Sequence, residues 1–192
     1  MDKQVKDKRT AIMDAALKLF TERGFHGTTT AQISKDAGVA TGTLFNYFPT
    51  KEDLINNLYF EVKGRLSICV KEGLDPEASF EYRMRKLWSN FIRCGVNNPD
   101  EFHFIGQFCS SPYITKITQE EVMKEYEFIR ILVEEGLGNR KKEDCSIELA
   151  KMIFYQSSRA VVNLILDSSR FEDMDEIIEE GFQILWRGLA PE

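Results

Sequence analysis

Residues 29–51 read TTAQISKDAGVATGTLFNYFPTK, two short helical patterns with Gly38-Val39 between them. Isolated helices this short are marginal in water, so both must lean on neighbouring helices. Thr29 and, three residues on, Gln32 form a capping box that starts the first. Gly38 stops it, a second pattern runs over 41–47, and Pro49 closes that one. Thr50 then caps a further helix, with Glu52 and Asp53 at the positive end of its dipole.

Helical stripes account for the rest. Ile12, Ala15, Ala16, Leu19 and Phe20 line one over 10–23. Gly24 is expected to end it as a left-handed cap, with Phe25 folding back on the last turn. The helix after Thr50 continues through Leu54, Ile55, Leu58, Tyr59 and Val62 towards Cys69. Further helices are predicted over 79–96, 100–108, 117–137, 146–167 and 174–189. The 12 glycines and 5 prolines show no regular turn spacing, which speaks against a sheet-rich fold. The expected class is all-α, with about nine helices.

Hydrophobic residues make up 43% of the 192 and charged residues 29%, the balance of a globular chain. The net charge of −6 is unevenly spread: residues 1–51 carry eight Lys/Arg against five Asp/Glu, a net +3, leaving −9 for the rest. Such a basic head can meet a polyanion while the acidic body stays clear of it. The charged N-terminus leads into no apolar signal core, and the run AVVNLIL at 160–166 is too short to span a bilayer. We therefore expect a cytoplasmic protein with no membrane partner. Cys69, Cys94, Cys109 and Cys145 form no CxxC pair and read as reduced thiols. The alternative for Cys109, set among aromatics, is a redox or electrophile sensor. With two histidines, His26 and His103, no metal-ligand spacing, no Gly-rich phosphate loop and no nucleophile elbow, neither an enzyme nor a metal or cofactor site is expected.

Two short helices joined by a tight Gly-containing turn have the dimensions of a helix-turn-helix, whose second helix lies in the major groove of DNA. Ile33, Ala37, Val39, Leu44 and Phe48 form its expected inner face, packed on Ile12, Leu19 and Phe20. Ala40, Thr41, Gly42, Thr43, Phe45, Asn46 and Tyr47 remain as the candidate DNA-reading set. Phe45 suits thymine methyls, Thr41 and Asn46 suit base edges, and the Tyr47 hydroxyl suits a phosphate. Gly42 lets backbone approach the duplex. Thr29 and Thr30 at one helix start, and Thr50 and Lys51 at another, are candidate phosphate seats. The rival reading is a helical module that binds protein through the same face.

The segment GFHGTTTAQISKDAGVATGTLFNYFPTKEDL resembles the DNA-binding signature of the tetracycline-repressor-like (TetR/AcrR) family. Gly-Phe-x-x-Thr-Thr, Ile-x-x-x-Ala-Gly-Val, Gly-Thr-Leu-Phe-x-Tyr-Phe and Lys-Glu-Asp-Leu stand in order within residues 9–55; Pro49 departs from the pattern. The resemblance implies a ligand-responsive regulator, usually a repressor, that binds a near-palindromic double-stranded operator as a homodimer. Residues 1–52 would be the DNA-binding domain and 53–192 the ligand-binding and dimerisation domain, joined by the helix over 51–70.

On that plan the last two helices pair with their copies. Phe154, Val161, Leu164 and Ile165 on one, with Ile178, Phe182 and Leu185 on the other, are the candidate dimer interface. The stretch EFHFIGQFCSSPYI at 101–114 concentrates aromatics within one short segment. Its Phe104, Gln107, Phe108 and Tyr113, together with Trp88, Phe91, Phe128, Tyr155 and Arg159, are the candidate walls of a site for an apolar or aromatic effector. His103, Gln156 and Asn163 are further polar candidates there.

Overall fold

The computed structural model describes residues 7–137, 147–168 and 171–189, and these form ten helices: α1 Lys8–Gly27, α2 Thr30–Asp36, α3 Thr41–Tyr47, α4 Lys51–Lys71, α5 Phe80–Asn97, α6 Pro99–Phe108, α7 Lys116–Glu125, α8 Glu127–Leu137, α9 Ile147–Ser168 and α10 Met174–Leu189. The predicted class is therefore observed, with one helix more than the periodicity suggests. The extra one arises where a single helix was expected over 117–137. Tyr126 N–H bonds back to Met123 O (3.1 Å) in a tightened turn, and the Ser67 hydroxyl takes Glu125 O (3.1 Å). A side chain that captures a ladder carbonyl in this way breaks a helix.

The chain divides into two compact units, one formed by residues up to Gly64 with Pro99–Val122, the other by Arg65–Asn98 with residues from Met123 onward. In the first, α1 packs against α2, α3 and α6. Its core is Ile12, Leu19 and Phe20 from α1, Ile33, Leu44 and Phe48 from the helix-turn-helix, and Leu54, Ile55 and Phe104 from α4 and α6, none more than 2% exposed. α1 kinks at Gly24 (φ 69°, ψ 179°), a conformation open to glycine, and runs one further turn to Gly27. The kink turns Phe25 back onto Phe20, ring centroids 5.8 Å apart. The Thr28 hydroxyl then reaches Leu19 O and Gly24 O, both at 2.9 Å, and closes the turn.

In the second unit α5, α8, α9 and α10 pack on one another. Trp88 of α5 is 1% exposed, its indole N–H donates to Ile178 O of α10 (2.8 Å), and its ring meets Phe154 of α9 edge-on at 5.7 Å. A bulky aromatic whose one donor is satisfied anchors a core well. Among the described residues, no helix is long and apolar enough to cross a membrane.

Candidate nucleic-acid interface

Local sequence chemistry sets the frame of the helix-turn-helix. Thr29 Oγ1 accepts from Gln32 N–H (3.2 Å), and Gln32 Oε1 accepts from Thr29 N–H (3.0 Å), the reciprocal capping box. At the other end of α2, Gly38 (φ 68°) donates to Lys35 O, and Val39 N–H donates to Ser34 O at 2.9 Å. That bond pair is a Schellman motif, which needs a residue at positive φ. The turn leads into α3, whose first free carbonyl, Ala40 O, accepts from Thr43 and Leu44. Ile33 and Leu44 are fully buried and Phe48 nearly so, while Ala37 and Val39, expected inside, are only half-buried.

Most of the expected set lies on the outward face of α3. Ala40, Thr41, Gly42 and Asn46 are exposed, Thr43 is half-buried, and Phe45 and Tyr47 stand 42% and 43% exposed. A β-carbon placed on Gly42 would meet nothing within 4 Å. No neighbour among the described residues requires glycine there.

The flanking phosphate candidates divide. Thr29 is exposed and Thr30 half-buried at the start of α2. Thr50 caps α4, its hydroxyl donating to Asp53 Oδ2 (2.8 Å) and accepting from Asp53 N–H (2.9 Å). Lys51 instead turns inward: its ammonium donates to Phe25 O (2.8 Å) and Thr28 O (2.9 Å) and lies 4.0 Å from the centre of the Phe25 ring.

The effector candidates fall in both compact units. Phe104 and Phe108 are buried in the first, where Phe108 meets Phe20 edge-on at 6.1 Å. Gln107 donates to Thr21 O (3.1 Å), and the Tyr113 hydroxyl contacts His26 Nε2. His103 is exposed, and Cys109 half-buried. In the second unit Phe91 is buried against Tyr155, and the Arg159 guanidinium lies 5.7 Å from the Tyr155 ring centre. Gln156 is exposed and Asn163 half-buried. Phe128 lines a cleft of about 330 Å³ with Lys71, Leu74, Asp75, Pro76, Arg83, Ile131 and Leu132. Of these only Phe128 was expected: Leu74 to Pro76 lie in a connection where helical periodicity gives no signal, and Lys71, Arg83, Ile131 and Leu132 lie on helices whose periodicity does not say which side faces a cleft. Cys145 lies outside the described residues.

The dimer candidates are placed unequally too. Phe154, Ile165, Ile178, Phe182 and Leu185 are buried within their own unit, Val161 is half-buried, and Leu164 is 48% exposed. The exposed stripe of α9 comprises Leu149, Met152, Ile153 and Leu164, and α10 adds Ile184 at 70% exposure.

Residues 12–58 match the model of the family described as bacterial regulatory proteins, tetR family. The fatty acid metabolism regulator protein of Bacillus subtilis is 26% identical over 88% of this chain and 90% of its own length. A crystal structure of a putative tetR family transcription regulator from Shewanella sp. PV-4 superposes with a TM-score of 0.86 at 28% identity, covering 97% of this chain and all of the other. The transcriptional regulator FadR of Bacillus subtilis, solved in complex with stearoyl-CoA, shares the fold at a TM-score of 0.70 and 21% identity, over 92% of this chain and 96% of that one.

Proposed function

Because the chain belongs to the TetR family of DNA-binding transcriptional regulators, we propose that it is a cytoplasmic repressor that holds a near-palindromic operator as a homodimer and releases it on binding a small apolar or aromatic molecule. The observation that carries this reading is the exposed face of α3, with Thr41, Phe45, Asn46 and Tyr47 presented on a frame capped at Thr29 and Gly38. Residues 1–52 act as the DNA-binding domain, and 53–192 bind the effector and the second copy.

Two recognition helices read successive major grooves about 34–36 Å apart. The exposed stripe of α9 with Ile184 of α10 supports self-association through that face, since a lone chain leaves it in water. The cleft at Phe128 supports an effector site in the second unit: its walls are mostly aliphatic and aromatic, with Lys71 and Arg83 as the cationic groups. Stearoyl-CoA in a protein of the same fold makes long acyl chains the first compounds to screen. Among the described residues, α4 supplies Lys51 at its start and Lys71 to this cleft at its end. An effector that prefers one tilt of it changes operator affinity, by about 1–3 kcal/mol in typical couplings.

Fluorescence anisotropy on a duplex taken from the upstream region of the protein's own gene, over a series of salt concentrations, tests the reading. Tight binding whose logarithm falls linearly with log salt is expected. No binding to this or any duplex selected from a random pool contradicts it.

A further inference from the structure

Lys51 has a sequence position that points it at DNA and a geometry that points it away. We infer that Lys51 is a positioning residue of the DNA-binding head, tying the end of α1 to the start of α4, and that it is not a phosphate ligand. The inference rests on the DNA-binding reading of α3.

An ammonium has three donors. Two are engaged by Phe25 O at 2.8 Å and Thr28 O at 2.9 Å, and the Phe25 ring centre lies 4.0 Å from the nitrogen. These carbonyls lie beyond the Gly24 kink at the end of α1, where Phe25 O accepts from Thr28 N–H (3.3 Å) and Thr28 O, past the last helical residue, has no helical donor. A cation at that end also meets the negative pole of the helix. Thr28 is 0% exposed, which leaves its carbonyl without ready access to water. If Lys51 swung out to a phosphate, a buried acceptor would lose its donor, which is unfavourable.

The tie matters for recognition because of what stands next to it. Thr28 directly precedes Thr29, the cap of α2, and Lys51 directly follows Thr50, the cap of α4. One ammonium thus sets the spacing of two helix starts that flank the reading helix. Phe25 itself is held by Phe20 at 5.8 Å and by Tyr113 at 4.0 Å, so the anchor point is rigid.

Lys51→Met and Lys51→Arg variants of the full chain, with a duplex selected by the wild-type protein from a random pool, decide the matter. Affinity is read well below both unfolding midpoints, over a range of potassium chloride concentrations. Lys51→Met is expected to weaken binding by about tenfold, equivalent to about 1.4 kcal/mol, with the salt slope unchanged. Its unfolding midpoint without DNA falls as well. Arg, which offers several donors and stacks on a ring, restores both in large part. A salt slope shallower by about 0.9, the signature of one lost phosphate contact, overturns the inference. So does a Lys51→Met midpoint equal to that of the wild type, a readout that needs no DNA. Failure of the wild type to bind any duplex would sink the DNA-binding reading, while the midpoint comparison still decides the tie.

Discussion

The ring of Tyr113 is stacked on the ring of Phe25, with centroids 4.0 Å apart and planes 16° apart. This seats the connection between α6 and α7 on the end of α1. Asn56 of α4 holds the same connection, donating to Tyr113 O (2.9 Å) and accepting from Thr115 N–H (2.9 Å). One side chain thereby satisfies two backbone groups that no helix ladder serves. Asn56→Ala is expected to lower unfolding free energy by about 1–3 kcal/mol, the range for stranding partly buried backbone partners. Denaturant titration measures it, and Asn56→Asp, which keeps the acceptor and removes the donor, should fall between the two.

Glycines 38 and 42 stand four positions apart and have opposite requirements. Gly38→Ala places a β-carbon at φ 68° and should destabilise the fold by about 1–2 kcal/mol. Gly42→Ala meets nothing within 4 Å and gains helix propensity, so stability should hold or rise by up to about 1 kcal/mol. Its effect belongs on the duplex: operator affinity should drop while the melting temperature does not. Paired melting and anisotropy measurements on the two variants separate these roles.

These two glycines also show what the sequence makes legible. The Thr29–Gln32 box, the Gly38 stop and the outward set on α3 are decided by residues within one or two turns of one another. Local chemistry is enough to place them. Lys51 was legible only as a cation at a helix start, because its acceptors lie 23 and 26 residues away in the chain. The break at Tyr126 was hidden for a similar reason, since Ser67 reaches it from 58 residues away. On α9 apolar residues occupy more than one face. Sequence therefore could not say that Ile165 goes inside, fully buried, while Leu164 beside it stays 48% exposed.

The exposed stripe of α9 and α10 has a direct test in solution. Ile184 is 70% exposed, so an aspartate there leaves the fold of the single chain intact. Buried in a self-association face it would be an uncompensated charge, commonly a loss of several kcal/mol. Ile184→Asp is expected to sediment as a monomer with an unchanged far-ultraviolet spectrum, and to bind operator more weakly than the wild type. Equal sedimentation of the two proteins places the association face elsewhere.

Lys63 supplies a pH dependence. Burial pushes its ammonium down to about 8 from an ordinary value of 10.5, with a partial offset from Cys109. The folded-state value lies below the unfolded one, so between about pH 8 and 10.5 the unfolded chain holds more protons, and this group's contribution to stability rises with pH. Below about pH 8 both states carry the charge and the burial penalty is fully present. Lys63→Met has no such dependence. Relative to this variant the wild type should gain stability as pH is raised from 8 to 10. A constant difference across that window would show that Lys63 titrates normally.

Whether duplex DNA covers the outward face of α3 is decided by the affinity of Asn46→Ala for a wild-type-selected operator. Asn46 is exposed on that face. Loss of a base-edge contact weakens specific binding by about 1–3 kcal/mol, or roughly 5- to 150-fold. A loss in that range is expected, confined to the selected sequence, with melting temperature and non-specific binding unchanged. Operator affinity equal to that of the wild type would contradict it.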